Sequence, residues 1–255
     1  MQPQLQQSLA EGVATVVISN PAKRNAMTCA MWRALPPLLD ELAADPDVRA
    51  LVLTGAGDTF CAGADISSLR EPGEDPRALA VGAEEALAAF PKPTLAAVRG
   101  HCVGGGSQLA AACDLRFAQE GALFGVTPAK LGIVYPASST RRLACLVGPA
   151  TAKYLLFSGE LIDSERALRT GLVDEVLPSG QLGVRVREFT RVLVSRSQLT
   201  QAAAKEFADG RDDRDHHWAE RERASADPAE GIAAFLERRP PRFTWHLSPG
   251  GIRST

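Results

Sequence analysis

A glycine triplet between two apolar runs is the feature that most limits what this chain can fold into. It lies within residues 92–118, KPTLAAVRGHCVGGGSQLAAACDLRFA. The pattern predicts a buried strand, a tight turn, a helix and a second strand. The glycines at 104–106 then fall at the helix start, where unpaired N–H groups point outward and the helix dipole favours negative charge. Because glycine lets another molecule approach the backbone closely, we expect a site there for an oxygen that is negative or becomes negative during a reaction.

The first two thirds of the chain alternate short apolar runs with helical patterns, which is typical of an α/β fold with parallel strands. The predicted strands are 13–19, 49–53, 94–98, 114–118, 122–126 and 172–177. The predicted helices are 28–42 with Thr28 as its N-cap, 77–90, 105–112, 139–147, 150–158 and 163–169. A charged segment with proline and glycine, 69–75, is predicted to be mobile, and the chain after residue 181 is predicted to be helical. We therefore expect a core over 1–195 and a helical region over 196–255 that serves as a lid or an oligomer contact.

Composition narrows the possible partners. The 255 residues are 45% hydrophobic and 23% charged, ordinary for a globular protein, and the net charge of −2 argues against nucleic acid. The five cysteines have irregular spacing and form no CxxC pair, which predicts neither a disulfide framework nor a zinc site and favours a reducing compartment. No apolar run is long enough for a membrane span and no secretory signal is recognised. We expect a cytoplasmic protein without a membrane partner.

Two glycine-containing turns follow two predicted buried strands, one at 61–65 and one at 104–106. In a parallel sheet, ligands bind outside the carboxyl ends of the strands. Backbone N–H groups from two such turns can form an oxyanion hole, in which each donor contributes about 3 kcal/mol of transition-state stabilisation. The spacing alone is equally consistent with two structural turns.

Several motifs decide between these interpretations, because they follow one another in the order typical of one family. Through these motifs the chain resembles the enoyl-CoA hydratase/isomerase family, also called the crotonase superfamily. The resemblance extends from about residue 13 to residue 243. The motifs are NPAKRNAM at 20–27, FCAGADI at 60–66, AVRGHCVGGGSQLAAACDLRFA at 97–118, FGVTPAKLGI at 124–133 and SGELIDSERALRTGLVDEVL at 158–177.

The resemblance implies a crotonase fold, with a ββα spiral core and a helical C-terminal region, that binds acyl-CoA thioesters. It implies that the N–H groups at Ala62 and Gly105 hold the thioester oxygen and stabilise an enolate-like anion. It places Ala64, Asp65 and Ile66 at the adenine and Arg24, in the loop before Ala26, near the CoA phosphates. It implies no metal and no cofactor beyond the coenzyme A of the substrate, and a homotrimer or a dimer of trimers.

The chain departs from the family pattern at two positions. Hydratases of this family use two glutamates, and here their positions carry Gln108 and Pro128. Gln108 can hydrogen-bond a water molecule but has no useful proton affinity, and Pro128 offers no side-chain donor or acceptor. Because acid–base groups contribute about 10²- to 10⁴-fold each, we expect weak or absent hydratase activity beside an intact oxyanion hole.

Two alternatives remain open. Tyr135 is placed like the active-site tyrosine of the methylmalonyl-CoA decarboxylase branch, although that branch carries a histidine where this chain has Ala64. Decarboxylation of a malonyl-type thioester needs an enolate sink and little general base. Tyr135 could equally be a loop residue packed against the core. A non-catalytic acyl-CoA-binding protein is the second alternative, since some family members have similarly depleted sites.

For the other candidates, the sequence predicts structural roles. We expect Ser138, Ser139 and Thr140 to cap a helix, and Glu84 and Glu85 to lie on the surface, although either glutamate could supply a carboxylate to the pocket. The remaining candidates are His101 as a turn or interface residue, His216 and His217 at the surface, and Cys61 and Cys102 as buried packing residues.

Overall fold

The computed structural model describes residues 2–67 and 75–247. Its main sheet has six strands in the order β1-β2-β3-β4-β6-β9, in which β1 and β2 are antiparallel and the remaining pairs are parallel. A second sheet has the order β5-β7-β8. The strands are β1 (Gln4–Ala10), β2 (Val13–Ser19), β3 (Ala50–Gly55), β4 (Thr94–Val98), β5 (His101–Val103), β6 (Leu115–Gln119), β7 (Leu123–Gly125), β8 (Ile162–Asp163) and β9 (Glu175–Leu177).

Helices cover the sheets and build the C-terminal region. The helices are α1 (Cys29–Ala44), α2 (Pro76–Ala88), α3 (Gly105–Ala112), α4 (Ala137–Ser158), α5 (Ser164–Arg169), α6 (Leu182–Val194), α7 (Gln198–Ala208), α8 (Asp215–Arg223) and α9 (Asp227–Glu237). The mixed α/β architecture with a helical C-terminal region confirms the predicted fold class. Along the described ranges, no helix combines the length and the apolar character that a membrane crossing needs.

Local sequence explains the elements that surround the later site. Strands β3 and β4 are almost wholly buried, as expected for central strands of a parallel sheet. Helix α1 begins where the Thr28 hydroxyl accepts a hydrogen bond from the Met31 N–H at 3.3 Å, which confirms the predicted cap. Its buried face, with Trp32, Leu35 and Leu39, packs into the main core. Strands β2 and β4 and helix α3 have the bounds that the sequence predicts.

Several strands differ from the prediction, and β5 and β8 were not predicted. Strand β1 is exposed and polar, so it lacks the apolar alternation that identifies strands, and it forms by pairing along β2. The strand predicted over 172–177 is limited to β9. The two helices predicted over 139–147 and 150–158 are confirmed: α4 begins at Ala137 and consists of two helices joined by a kink at Gly148, whose φ of 74° and ψ of 159° are not helical. Most of the predicted mobile segment lies outside the described residues.

The C-terminal helices divide between two cores. Helix α6 packs on the outer face of the main sheet, where Leu182 contacts Val52, Leu95 and Phe117 within one buried cluster. Helices α7 and α8 form a separate small core around Leu199, Ala202 and Trp218. The proposed division into 1–195 and 196–255 remains a prediction.

Candidate active site

A cavity of about 360 Å³ lies where the loop after β3 meets the start of α3. The wall is mostly apolar and comes from α1, α2, the glycine turn and the loop before α4. It is lined by Trp32, Ala62, Gly63, Ala64, Ile66, Asp75, Pro76, Arg77, Ala80, Gly104, Gly105, Gln108, Thr127, Pro128, Leu131, Ile133, Val134, Tyr135 and Pro136. An apolar cavity with a few convergent polar groups is the usual form of a small-molecule site.

Backbone hydrogen bonds bring the two glycine-containing turns together. The Cys61 N–H donates to the His101 carbonyl at 2.9 Å, and the Val103 N–H donates to the Cys61 carbonyl at 3.0 Å. Met27 and Ala64 form a similar isolated bridge. These contacts place the turn at 61–65 directly beside the N-terminus of α3.

Two N–H groups of these turns, those of Ala64 and Gly105, lie close together and have no acceptor among the described residues. Gly105 is the first residue of α3, so its N–H has no partner inside the helix. The Ala64 N–H makes no hydrogen bond to another described residue. An ideal Cβ on Gly105 would lie 3.5 Å from the Ala64 nitrogen, so both groups border the same small space.

The expected donor at Ala62 is wrong. The Ala62 N–H already donates to the Arg24 carbonyl at 3.0 Å, which fastens the loop before α1 to the loop after β3. Sequence analysis identified a loop that lines the cavity but not which of its N–H groups lacks an acceptor, because that depends on the path of the backbone through the turn. Ala64, expected at the adenine, is the residue of this loop whose N–H has no acceptor among the described residues.

Close packing explains why glycine occupies the turn. A Cβ on Gly105 would lie 2.9 Å from Trp32 Cζ2, and one on Gly106 would lie 2.3 Å from the Cys61 carbonyl oxygen. Gly104 has a φ of 55°, a backbone conformation that glycine adopts readily. The Trp32 indole therefore supports the turn from below. Its Nε1 atom is buried and has no hydrogen-bond partner among the described residues.

Gln108 lies one turn into α3 and lines the cavity. Its side chain is hydrogen-bonded to Glu84, a carboxylate that was expected at the surface. Glu84 on α2 is completely buried, and its Oε2 accepts a hydrogen bond from Gln108 Nε2 at 2.6 Å. The same oxygen accepts from the Ser139 hydroxyl, and Oε1 pairs with Arg142. The surface role expected for Glu84 is wrong, because α2 turns this residue toward α3 and α4. Glu85 is 48% exposed, as expected.

Ser139 also departs from its expected capping role. Helix α4 begins at Ala137 without a side-chain cap, so Ser139 lies inside the first turn and its hydroxyl reaches Glu84. The Thr140 hydroxyl donates back to the Pro136 carbonyl at 2.8 Å. Sequence reasoning missed Arg142. Its role could be recognised only from the packing of the first turns of α4 against α2.

Tyr135 lines the cavity and packs against the main core. Burial and then the charge of Glu84 raise the pKa of the Tyr135 phenol. The hydroxyl is therefore neutral near neutral pH and can donate a hydrogen bond, but it is a poor base. Within residues 2–67 and 75–247 this hydroxyl makes no hydrogen bond, which leaves it available to a ligand.

The described cavity wall carries few other side chains that can transfer a proton. Pro128 begins a 3₁₀ turn on the wall and presents no titratable group. Among the described lining residues, Asp75 supplies the one carboxylate, and its Oδ1 caps α2 by accepting from the N–H groups of Arg77 and Ala78. Burial raises the pKa of the Cys61 thiol to about 12, so it is inert as a nucleophile at neutral pH.

Charged residues gather at the outer edge of the same loops. Lys23 Nζ contacts both carboxylate oxygens of Asp65 at 2.7 and 2.9 Å and the Ser67 hydroxyl at 2.7 Å. Burial tends to raise the pKa of Asp65, but the hydrogen bonds from Lys23 and Ser67 lower it overall. Arg24 is exposed beside them, Ala26 is buried, and the Ile66 side chain is 60% exposed.

The sequence pattern of the enoyl-CoA hydratase/isomerase family matches residues 8–246. The chain belongs to this family. A crotonyl-CoA hydratase of Syntrophomonas wolfei is 33% identical, with 91% of this chain and 95% of that protein covered. An (E)-benzylidenesuccinyl-CoA hydratase of Thauera aromatica is 34% identical with the same coverage.

Solved structures show the same membership. The crystal structure of an enoyl-CoA hydratase/isomerase family member aligns with a TM-score of 0.92 at 41% identity and covers 97% of this chain and 99% of that one. The fold is therefore the crotonase fold of an enoyl-CoA hydratase/isomerase family enzyme. Gln108 and Pro128, which the sequence analysis expects at the glutamate positions of hydratases, both line the cavity.

Proposed function

We propose that this protein binds acyl-CoA thioesters, holds the thioester oxygen between the N–H groups of Ala64 and Gly105, and stabilises an enolate-like anion there. The single observation that carries the proposal is the pair of unpartnered N–H groups that border an apolar cavity. Such donors act where water is excluded, and removal of one typically costs 10²- to 10³-fold in rate. Coenzyme A enters as part of the substrate, without a separate cofactor.

The bound coenzyme A would extend from this hole toward the charged outer edge. Asp65 and Ile66 would contact the adenine, and Arg24 and Ala26 lie in the loop that would face the phosphates. Arg24 is exposed and its carbonyl anchors the Ala62 N–H, so the loop is fixed while the guanidinium is free to approach an anion.

Carbonyl polarisation can be tested without turnover. A dimethylaminocinnamoyl-CoA thioester absorbs at longer wavelength when donors withdraw electron density toward its carbonyl oxygen. We expect a red shift when this probe binds. Binding with an unshifted spectrum would refute the oxyanion hole, and absence of binding would refute the acyl-CoA site itself.

Hydration of crotonyl-CoA should be slow, because neither Gln108 nor Pro128 can transfer a proton. Loss of one acid–base group costs at least about 100-fold. The measurement is the loss of the conjugated enoyl absorbance, compared with an ordinary hydratase at equal concentration. Turnover within about tenfold of that enzyme would show that another group supplies the missing chemistry.

Decarboxylation of a malonyl-type thioester is a second candidate, favoured by the unpartnered Tyr135 hydroxyl on the cavity wall. The C–C bond to the carboxylate would break, its electron pair would enter the enolate held by Ala64 and Gly105, and carbon dioxide would leave. Release of carbon dioxide from methylmalonyl-CoA tests this reaction, and its absence would eliminate the candidate. Tight thioester binding without turnover of any substrate would instead favour an acyl-CoA-binding role.

A further inference from the structure

Glu84 is a buried charge that the proposed chemistry does not use. It lies on α2, behind the cavity wall, and three side chains from α3 and α4 converge on it: Gln108, Ser139 and Arg142. A buried ion pair is weak evidence for stability, since well-packed apolar residues often serve as well. The position of Glu84 directly behind Gln108 suggests that its effect is on the site.

Donor and acceptor rules fix the orientation of the Gln108 amide. A carboxylate paired with arginine can only accept hydrogen bonds, so the glutamine must present its Nε2 to Glu84. The Gln108 Oε1 atom accepts no hydrogen bond from another described residue, yet it is not fully buried. The Gln108 carbonyl oxygen is therefore an acceptor without a donor. The space beside Gln108 from which a donor could reach it is the cavity.

We propose that Glu84 is a positioning residue that holds the carbonyl oxygen of Gln108 toward the acyl group, so that the site selects acyl-CoA thioesters whose acyl chain carries a hydroxyl group. This inference rests on the proposed function. Gln108 lies three residues after Gly105 on the same face of α3, which places its side chain near the acyl carbons that follow the thioester carbon. A hydroxyl there would donate to Oε1, whereas an unsubstituted chain would leave this acceptor without a partner.

The test compares the dissociation constants of 3-hydroxybutyryl-CoA, as each enantiomer, and butyryl-CoA by calorimetry. One net hydrogen bond corresponds to a preference of about fivefold, and we expect the wild type to prefer one enantiomer by at least this factor. Formation of the conjugated enoyl thioester is followed in parallel, so that any conversion of the hydroxyl ligand is detected.

Glu84→Gln keeps the size of the side chain but can donate as well as accept, so the Gln108 amide is no longer held in one orientation. We expect the preference to fall to within about twofold. Glu85→Gln is the matched control, because the neighbouring residue is half-exposed and contacts Arg142 only at 3.4 Å. This control should retain the full preference.

A second variant, Gln108→Met, keeps the question decidable if Glu84→Gln does not fold. It removes the acceptor and should abolish the preference. Failure of the wild type to bind any acyl-CoA would refute the proposed function. Equal binding of the two ligands would overturn only the present inference. A preference that survives in folded Glu84→Gln or in Gln108→Met would overturn the role assigned to Glu84 or to Gln108.

Discussion

Gly105 is the residue on which the proposed oxyanion hole depends, because its N–H has no acceptor among the described residues and its missing side chain leaves room for Trp32. In Gly105→Ala, the new methyl carbon would meet Trp32 Cζ2 at 2.9 Å. We expect the turn or the indole to move and the red shift of bound dimethylaminocinnamoyl-CoA to disappear, with turnover of any accepted thioester reduced about 100-fold. Gly82→Ala on α2 is the control, since its methyl would meet nothing within 4 Å. An unchanged spectrum in Gly105→Ala would contradict the assignment.

Asp65 and Lys23 form the ion pair at the outer edge of the site. The pKa of Asp65 is lowered despite its burial, so the pair contributes stability above the unfolded-state pKa of the carboxyl, near 3.9. This contribution is lost as pH falls through the lower folded-state pKa. A double-mutant cycle of Lys23→Met and Asp65→Asn should give a coupling of less than about 1 kcal/mol at pH 7 that vanishes at low pH. A coupling independent of pH would contradict the ion pair.

Single residues also mark the limit of sequence reasoning at this site. The glycine triplet and Gln108 could be located because their neighbours along the chain define them. The sequence analysis expected Ala62 rather than Ala64 to offer a free N–H, since nothing in the motif tells which N–H donates to the Arg24 carbonyl. Glu84 and Glu85 are adjacent and identical, so only the packing of α2 separates the buried carboxylate from the exposed one.

Helix α4 has two halves that meet at the kink at Gly148, one beside the site and one at the surface. Its first half carries Ser139 and Arg142 to Glu84, and its second half carries the 76% exposed Phe157. Gly148→Ala would add a methyl group with nothing within 4 Å, so its effect isolates the positive φ of 74°. We expect a loss of about 1–3 kcal/mol in the free energy of unfolding, measured by denaturant titration.

Gly183→Ala on α6 is the matched control for this helix. It has an ordinary backbone conformation, and its methyl would make only a normal contact with Arg187. Its stability should remain equal or increase slightly. Equal effects of the two substitutions would show that Gly148 is not strained. Sequence analysis predicted two separate helices here, and the structure has a kink between them at Gly148.

At the scale of the molecule, helix α9 has an exposed apolar face among the described residues. Helix α9 presents Ile232, Phe235 and Leu236 with 64, 82 and 75% of their surface exposed. Their spacing of three and four residues puts them on one face of the helix. A contiguous exposed apolar patch usually marks an interface. Together with the family resemblance, this face supports the proposal that the chain assembles as a trimer or a dimer of trimers.

Light scattering of the purified protein tests the assembly. The wild type should have three or six times the mass of one chain, and Phe235→Glu should lower this mass because a buried unpaired carboxylate is costly. Val192→Glu, at a 45% exposed apolar residue of α6, is the control and should leave the mass unchanged. A monomeric wild type would remove the proposal, and an intact oligomer of Phe235→Glu would place the interface elsewhere. Since α9 lies far along the chain from Gly105 and Gln108, loss of assembly with an unchanged dimethylaminocinnamoyl-CoA spectrum would show that each chain carries a complete oxyanion hole.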